Sequence, residues 1–327
     1  MNLAQVDQIA KAVLYEGYML YPYRPSSVKN RQRWNFGVVY PRDYSQAQGG
    51  DEPCRMRTEC LVSDGGILEV KVRFLHLGMR SLRTATRPSS LRDGWQEAVE
   101  REVSLPEVAL GIPGHDALKY TFMFPSQAHL PSQNDGQPDP VELQQEAVEG
   151  IVIVSGERVG EGLFKVSVEV QNVTPVSPQG ADREAVLMQS LVSTHVILGV
   201  KDGEFVSLLE PPAELQELAS SCQNIGAWPV LVGKPGQRDT VLASPIILYD
   251  YPQIAPESAG DLFDGTEIDE ILSLRIMTLT DEEKREIRES DDRAREILDR
   301  TEAMPPEQFM KMHGVVRGLR PLKEDAS

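Results

Sequence analysis

Between about residues 55 and 255 the pattern is mostly that of strands, and runs in which apolar side chains recur at every second position set the fold class. Met56, Thr58, Cys60 and Val62 alternate with polar neighbours, and Leu68, Val70, Val72, Phe74 and His76 do the same further on. Successive side chains of a strand point to opposite faces, so period two reads as a half-buried strand. Ser63-Asp64-Gly65-Gly66 between the two runs has tight-turn chemistry and predicts a hairpin. Ile151–Val154 with Phe164, Val166, Val168 and Val170 predicts a second hairpin around Gly156–Gly162. Leu191–Val200 and Phe205–Leu209 predict a third around Asp202-Gly203. Val230–Val232 and Ile246–Tyr249 read as shorter strands. The tripeptide Glu-Ala-Val at 97–99, 146–148 and 184–186 is too short to establish a repeat of equivalent strands.

Either side of this region the rhythm changes. Leu3, Val6, Ile9 or Ala10, and Val13 share one face of a short helix over residues 3–14, which Gly17 is placed to end. Pro125–Pro140 is polar and reads as a long surface loop. Beyond Pro256 the pattern is helical. Thr266 with Asp269, and Thr280 with Glu283, form capping boxes, the second opening a helix over about Asp281–Thr301 before Pro305-Pro306. Glu289–Arg293 and Glu296–Arg300 fall at i,i+4 on that helix. The expected fold is β-rich α+β: an antiparallel sandwich-like core with an N-terminal helix and a C-terminal helical appendage. The expected divisions are 1–47, a β-rich core over 48–255 with its loop at 125–140, and 256–327.

Charge narrows the function classes. A formal net charge of −17 over 327 residues argues against non-specific nucleic-acid binding, which needs clustered positive charge. Met1–Gln8 carries Asp7 and no apolar run, so no signal peptide is expected. No apolar stretch approaches the roughly 20 residues that span a bilayer, so no membrane partner is expected. Three cysteines, an odd number, point to reduced thiols and a cytoplasmic location.

Sites of chemistry are sparse. Cys54 and Cys60 miss the short spacing of zinc and redox motifs, and Cys222 is distant, although the fold could bring all three together. His76, His115, His129, His195 and His313 are not spaced as helical metal ligands, and His76 sits on the apolar face of its strand. Asp261, Asp264, Glu267, Asp269 and Glu270 precede a helix and read as capping and dipole acids rather than as an EF-hand. Neither Gly160-Glu161-Gly162 nor Gly233–Gly236 is a phosphate loop. No catalytic residue, metal ligand or cofactor is assigned.

One segment departs from the acidic background. Tyr15–Tyr44 holds Arg24, Lys29, Arg31, Arg33 and Arg42 against Glu16 and Asp43. It also holds eight aromatics of a chain with only 9 Tyr, 8 Phe and 3 Trp. Two readings stand: a buried cluster pinning the N-terminus to the sheet, or a partner-binding patch. The residues for the second are Tyr23, Arg24, Arg31, Arg33 and Trp34.

Three stretches together carry a resemblance. They are Leu14-Tyr15-Glu16-Gly17-Tyr18 continuing to Lys29-Asn30-Arg31-Gln32-Arg33-Trp34, Ser244-Pro245-Ile246-Ile247-Leu248-Tyr249-Asp250-Tyr251-Pro252, and Asp261-Leu262-Phe263-Asp264-Gly265-Thr266-Glu267-Ile268-Asp269-Glu270. The chain resembles accessory proteins encoded beside actinobacterial-type nickel–iron hydrogenases. The resemblance implies a role in assembly or maturation of the hydrogenase, with a hydrogenase subunit as partner, and carries over no catalytic residue. The expected function is a non-enzymatic protein-binding accessory or assembly factor. The alternative is a hydrolase or metal-dependent enzyme whose site is assembled from residues distant in sequence.

Overall fold

The computed structural model describes residues 3–14, 37–82, 95–111, 117–129, 141–177 and 182–253, with scattered positions between 279 and 303. The chain divides into two units, Met1–Tyr18 with Arg31–Gln253, and Met19–Asn30 with Ile254–Ser327. The first opens with helices α1 (Leu3–Leu14) and α2 (Arg42–Ala47). Strands β1 (Arg55–Ser63), β2 (Ile67–Leu82), β3 (Trp95–Ser104), β4 (Val108–Ala109), β5 (Leu118–Phe124), β6 (Gln127–His129), β7 (Val141–Gln145), β8 (Val148–Gly160) and β9 (Leu163–Asn172) follow. After α3 (Arg183–Leu187) come β10 (Val192–Lys201), β11 (Glu204–Val206), α4 (Gln216–Ser220), β12 (Trp228–Leu231) and β13 (Thr240–Ser244).

Every strand pairing is antiparallel. One sheet runs β11-β1-β9-β8-β5, the other β12-β13-β10-β2-β7-β6, with β3 and β4 also paired to β2. The inward faces make one core. Met56, Cys60, Val62, Val166, Val168 and Val170 of the first sheet pack with Val70, Val72, Phe74, Val196 and Leu198 of the second. Val70, Val72, Phe74 and His76 are all buried on β2, as their alternation requires. On the other face of the larger sheet, Val6, Ile9, Ala10 and Val13 of α1 pack on Ile197, Val230, Val232 and Leu242. Asp7 anchors that helix through a 2.6 Å ion pair to Arg73. Among the described residues no helix is long and apolar enough to cross a membrane.

The β8–β9 hairpin forms as expected. The other two turns do not close hairpins. β1 and β2 lie in different sheets, and so do β10 and β11. Alternation states which face of a strand is buried, not which strand lies beside it. Two consecutive strands that both bury a face can face each other across the roughly 10 Å between packed sheets. Residues 64–66 and 202–203 are just long enough to cross that gap at about 3.3 Å per residue. Asp64 and Asp202 both take positive φ, 67° and 58°. The two corners brace each other: a Cβ on Gly66 would lie 2.0 Å from the Lys201 carbonyl, and one on Gly203 would lie 2.1 Å from the Gly65 carbonyl.

Other expectations need correction. Gln127–His129, inside the stretch read as loop, forms β6 against β7. A short edge strand needs backbone pairing but no apolar face. Ile246–Tyr249 is not a strand; the strand is Thr240–Ser244, and Pro245 ends it because proline cannot donate to a ladder. Glu-Ala-Val is strand at 97–99 and helix at 184–186, where Asp182 caps the Glu184 N–H, so it marks no repeat.

In the second unit the described positions from 281 to 302 are helical. They do not belong to one helix. Lys284 Nζ lies 2.9 Å from Glu302 Oε1, and Arg288 Nε lies 3.0 Å from Asp299 Oδ1. A continuous helix would hold residues 284 and 302 about 27 Å apart. The described helical positions 281, 284, 285 and 288 therefore run antiparallel to the described helical positions 295, 298, 299, 301 and 302. The acids of 261–270, the pairs Glu289–Arg293 and Glu296–Arg300, and His115 and His313 lie outside the described residues.

Candidate functional site

A knot of hydrogen bonds around Asp250 gathers three segments at one end of the first unit. Asp250 Oδ2 accepts from Ser207 Oγ at 2.6 Å, and Oδ1 accepts from the Leu231 N–H at 2.8 Å. The Tyr251 N–H donates to the Leu231 carbonyl at 2.7 Å. Ser207 Oγ also accepts from the N–H groups of Leu209 and Glu210. Segments 207–210, 228–231 and 249–251 are thus tied to one carboxylate. Tyr251 has φ of 57°, a left-handed conformation rare outside glycine, and the knot holds it there.

The sequence pattern decides what this frame presents. Leu248 turns inward to the α1 cluster and is buried. Its neighbours Ile247 and Tyr249 turn outward and are 73% and 81% exposed. Trp228, which opens β12 opposite Ser244, is 44% exposed. Leu209 and Ile225 complete the set, so five of the six exposed large apolar residues among those described sit on or beside the knotted segments. Ile225 is fixed in turn by a two-way backbone pair with Arg57 at 2.9 and 2.8 Å.

A second constellation lies along the edge of β1. Glu59 is nearly buried and accepts from Arg57 Nη2 and from the Gln223 N–H at 2.7 Å, with Lys165 Nζ at 3.2 Å. Burial pushes its carboxyl pKa up, but the Gln223 N–H, Arg57 and Lys165 outweigh that and hold it below the usual value. Asn224 Oδ1 accepts from Thr58 Oγ1 and the Glu59 N–H, and Lys165 Nζ reaches the Ser221 carbonyl at 3.1 Å. Residues 221–225 are thereby stitched to the sheet. Cys222 lies within this stitching, and burial raises its thiol pKa. Burial pushes neighbouring Cys60 up to about 12, and proximity to Cys222 adds to it. Both thiols stay protonated near neutrality, a poor state for nucleophilic or metal chemistry. Cys54 lies a strand length away, about 20 Å, so the three cysteines do not converge. Among the described residues no group of three or more His, Cys, Asp and Glu could hold a metal ion.

The sequence-predicted residues Tyr23, Arg24, Arg31, Arg33 and Trp34 lie outside the described residues. The end of their segment that is described belongs to the interior. Tyr40 and Tyr44 are buried with ring centroids 5.7 Å apart, and Arg183 Nη2 donates to Tyr40 Oη at 2.7 Å. Burial pushes the Tyr40 hydroxyl up to about 12. Of the exposed set, Ile247 and Tyr249 were read from the sequence as strand residues. The available signal was the apolar run framed by Pro245 and Pro252, with Asp250 inside it. No protein-family model matches the chain, and no curated protein is similar to it in sequence.

Proposed function

We propose that this protein is a non-enzymatic binding factor that holds another protein through the rim formed by Trp228, Ile247 and Tyr249. The observation that carries the reading is the outward pair Ile247 and Tyr249 on a backbone pinned by Asp250. Exposed aromatics on a rigid frame are costly in water and useful on binding. Aromatic anchors dominate interface energies, and a pre-ordered backbone loses little entropy on association.

The stretch Ser244–Pro252, one of the three that carry the resemblance to hydrogenase accessory proteins, is the same stretch that presents Ile247 and Tyr249. A subunit of a nickel–iron hydrogenase is therefore the partner we propose, in assembly or maturation and in the cytoplasm. Arg31, Arg33 and Trp34, with Tyr23 and Arg24, are proposed as a second contact.

Co-purification with the hydrogenase subunits tests this. Ile247→Ser with Tyr249→Ser is expected to lower partner recovery at least tenfold, about 1.4 kcal/mol. The melting temperature should barely move, because both side chains already face water. Arg31→Ala with Arg33→Ala is expected to weaken recovery further. Full recovery by the Ile247/Tyr249 variant would overturn the proposal, as would a large drop in its melting temperature.

A further inference from the structure

We propose that Arg101, Gln145 and His76 form a binding site for the carboxylate of a small organic acid with an apolar or aromatic body. The register places them together. Arg101 pairs with Phe74 and Val99 pairs with His76 across β2 and β3, so Arg101 and His76 are diagonal neighbours on the inward face. Arg101 Nη2 donates to Gln145 Oε1 at 3.1 Å, and Gln145 Nε2 reaches the His76 carbonyl at 3.4 Å. From the facing sheet Phe124 lies under the guanidinium, 4.9 Å from ring centroid to Cζ. Phe74, Phe122 and Phe124 form a triangle with centroids 5.8 to 6.1 Å apart.

Three polar atoms of this group are unspent. Arg101 Nε is buried without a hydrogen-bond partner, and so are both ring nitrogens of His76, a residue with no exposed surface. The backbone groups of Glu146 and Met188 lie near the imidazole but outside hydrogen-bonding geometry. Among the described residues no carboxylate lies within ion-pair distance of Arg101, in a chain whose net charge is −17. Burial lowers the pKa of Arg101, as expected of a cation without a counter-charge. Guanidinium is a planar fork that takes a carboxylate through two parallel N–H donors, and Phe124 already covers one of its faces.

Among the described residues β3 pairs only with β2, and β5 pairs only with β8, so the cluster lies where both sheets end. Phe122 and Phe124 are only partly buried there and offer ring surface to an apolar body.

Benzoate is a suitable test compound, titrated at constant ionic strength against the melting temperature and by calorimetry. Saturable binding is expected, with benzamide and inorganic phosphate at least tenfold weaker. Arg101→Gln should abolish benzoate binding. Arg101→Lys, which keeps the charge but loses the fork, should weaken it at least tenfold and covers the case in which Arg101→Gln fails to fold. No saturable benzoate binding would overturn the proposal. Equal binding of benzamide would remove the carboxylate from it, equal binding of phosphate would remove the organic body, and unchanged affinity in either variant would remove Arg101; each of these overturns it.

Discussion

Between pH 7 and pH 4 the protein is expected to lose about 6 kcal/mol of stability, through two histidines, before most carboxylates titrate. Burial, with the positive charge of Arg101 acting in the same direction, lowers the His76 pKa from 6.5 to about 4. Burial lowers His195 to about 4 as well. His195 Nδ1 lies 3.0 Å from the Ser193 carbonyl, to which it donates as a neutral ring, and Nε2 is buried without a partner. Arg73 opposes its protonation, and Glu102 offsets this only in part. As pH falls through 6.5 the unfolded chain takes up two protons that the folded chain refuses. Stability is therefore complete above about pH 6.5, falls down to about pH 4, and then loses nothing more to these groups. The gap between 6.5 and about 4 is worth about 3 kcal/mol for each ring. A domain stable by about 5–15 kcal/mol would come close to unfolding. Glu59 and Glu102, both held below their usual pKa, act in the same direction once pH falls below the usual value near 4.5, where the unfolded chain protonates while the folded carboxylates stay ionised. Denaturant titrations at pH 7.5, 5.5 and 4.5 measure the slope, and His195→Gln should remove about half of it. Equal stability at pH 7.5 and 4.5 would show that neither ring is buried as a neutral base.

Alanine at Gly66 or Gly203 is expected to destabilise far more than alanine at Gly162. Gly66 has φ of 116°, which side chains rarely adopt, and its Cβ would meet the Lys201 carbonyl at 2.0 Å. Backbone strain and overpacking each cost about 1–3 kcal/mol, so about 4 kcal/mol is expected at Gly66. Gly203 lacks the positive φ but would strike the Gly65 carbonyl at 2.1 Å, for about 3 kcal/mol. Gly162, in the true β8–β9 hairpin, has φ of 63° and no atom within 3.4 Å of its added Cβ. Its replacement should cost about 1 kcal/mol. Chemical denaturation of the three variants separates inter-sheet corners from flat hairpins. Similar losses at all three positions would contradict the crossing of the chain between sheets at residues 64–66 and 202–203.

These two corners mark where sequence reasoning stopped. The alternation in β1, β2, β8 and β9 was enough for the antiparallel sandwich, because burial of one face is a property of each strand alone. Neighbour choice depends on long-range pairing, and Asp-Gly permits both a flat hairpin and a crossing. The spacing of Val6, Ile9, Ala10 and Val13 was enough for α1. The antiparallel arrangement of the described helical positions between 281 and 302 escaped a reading built on i,i+4 charges, which fit either arrangement. The candidate rim was legible only as an apolar run between Pro245 and Pro252. That Leu248 turns in while Ile247 and Tyr249 turn out depends on Asp250 reaching Ser207, 43 residues away. The diagonal pair Arg101 and His76 likewise depends on a register no local pattern supplies.

Photocrosslinking inside cells of the native host tests the binding claim most directly. A benzophenone side chain in place of Tyr249 is compared with one in place of Met123, which is 62% exposed on β5 and remote in sequence from the rim. The account predicts that position 249 crosslinks to one defined protein, a hydrogenase subunit, and that position 123 does not. Equal crosslinking from both positions, or none from position 249, would contradict it.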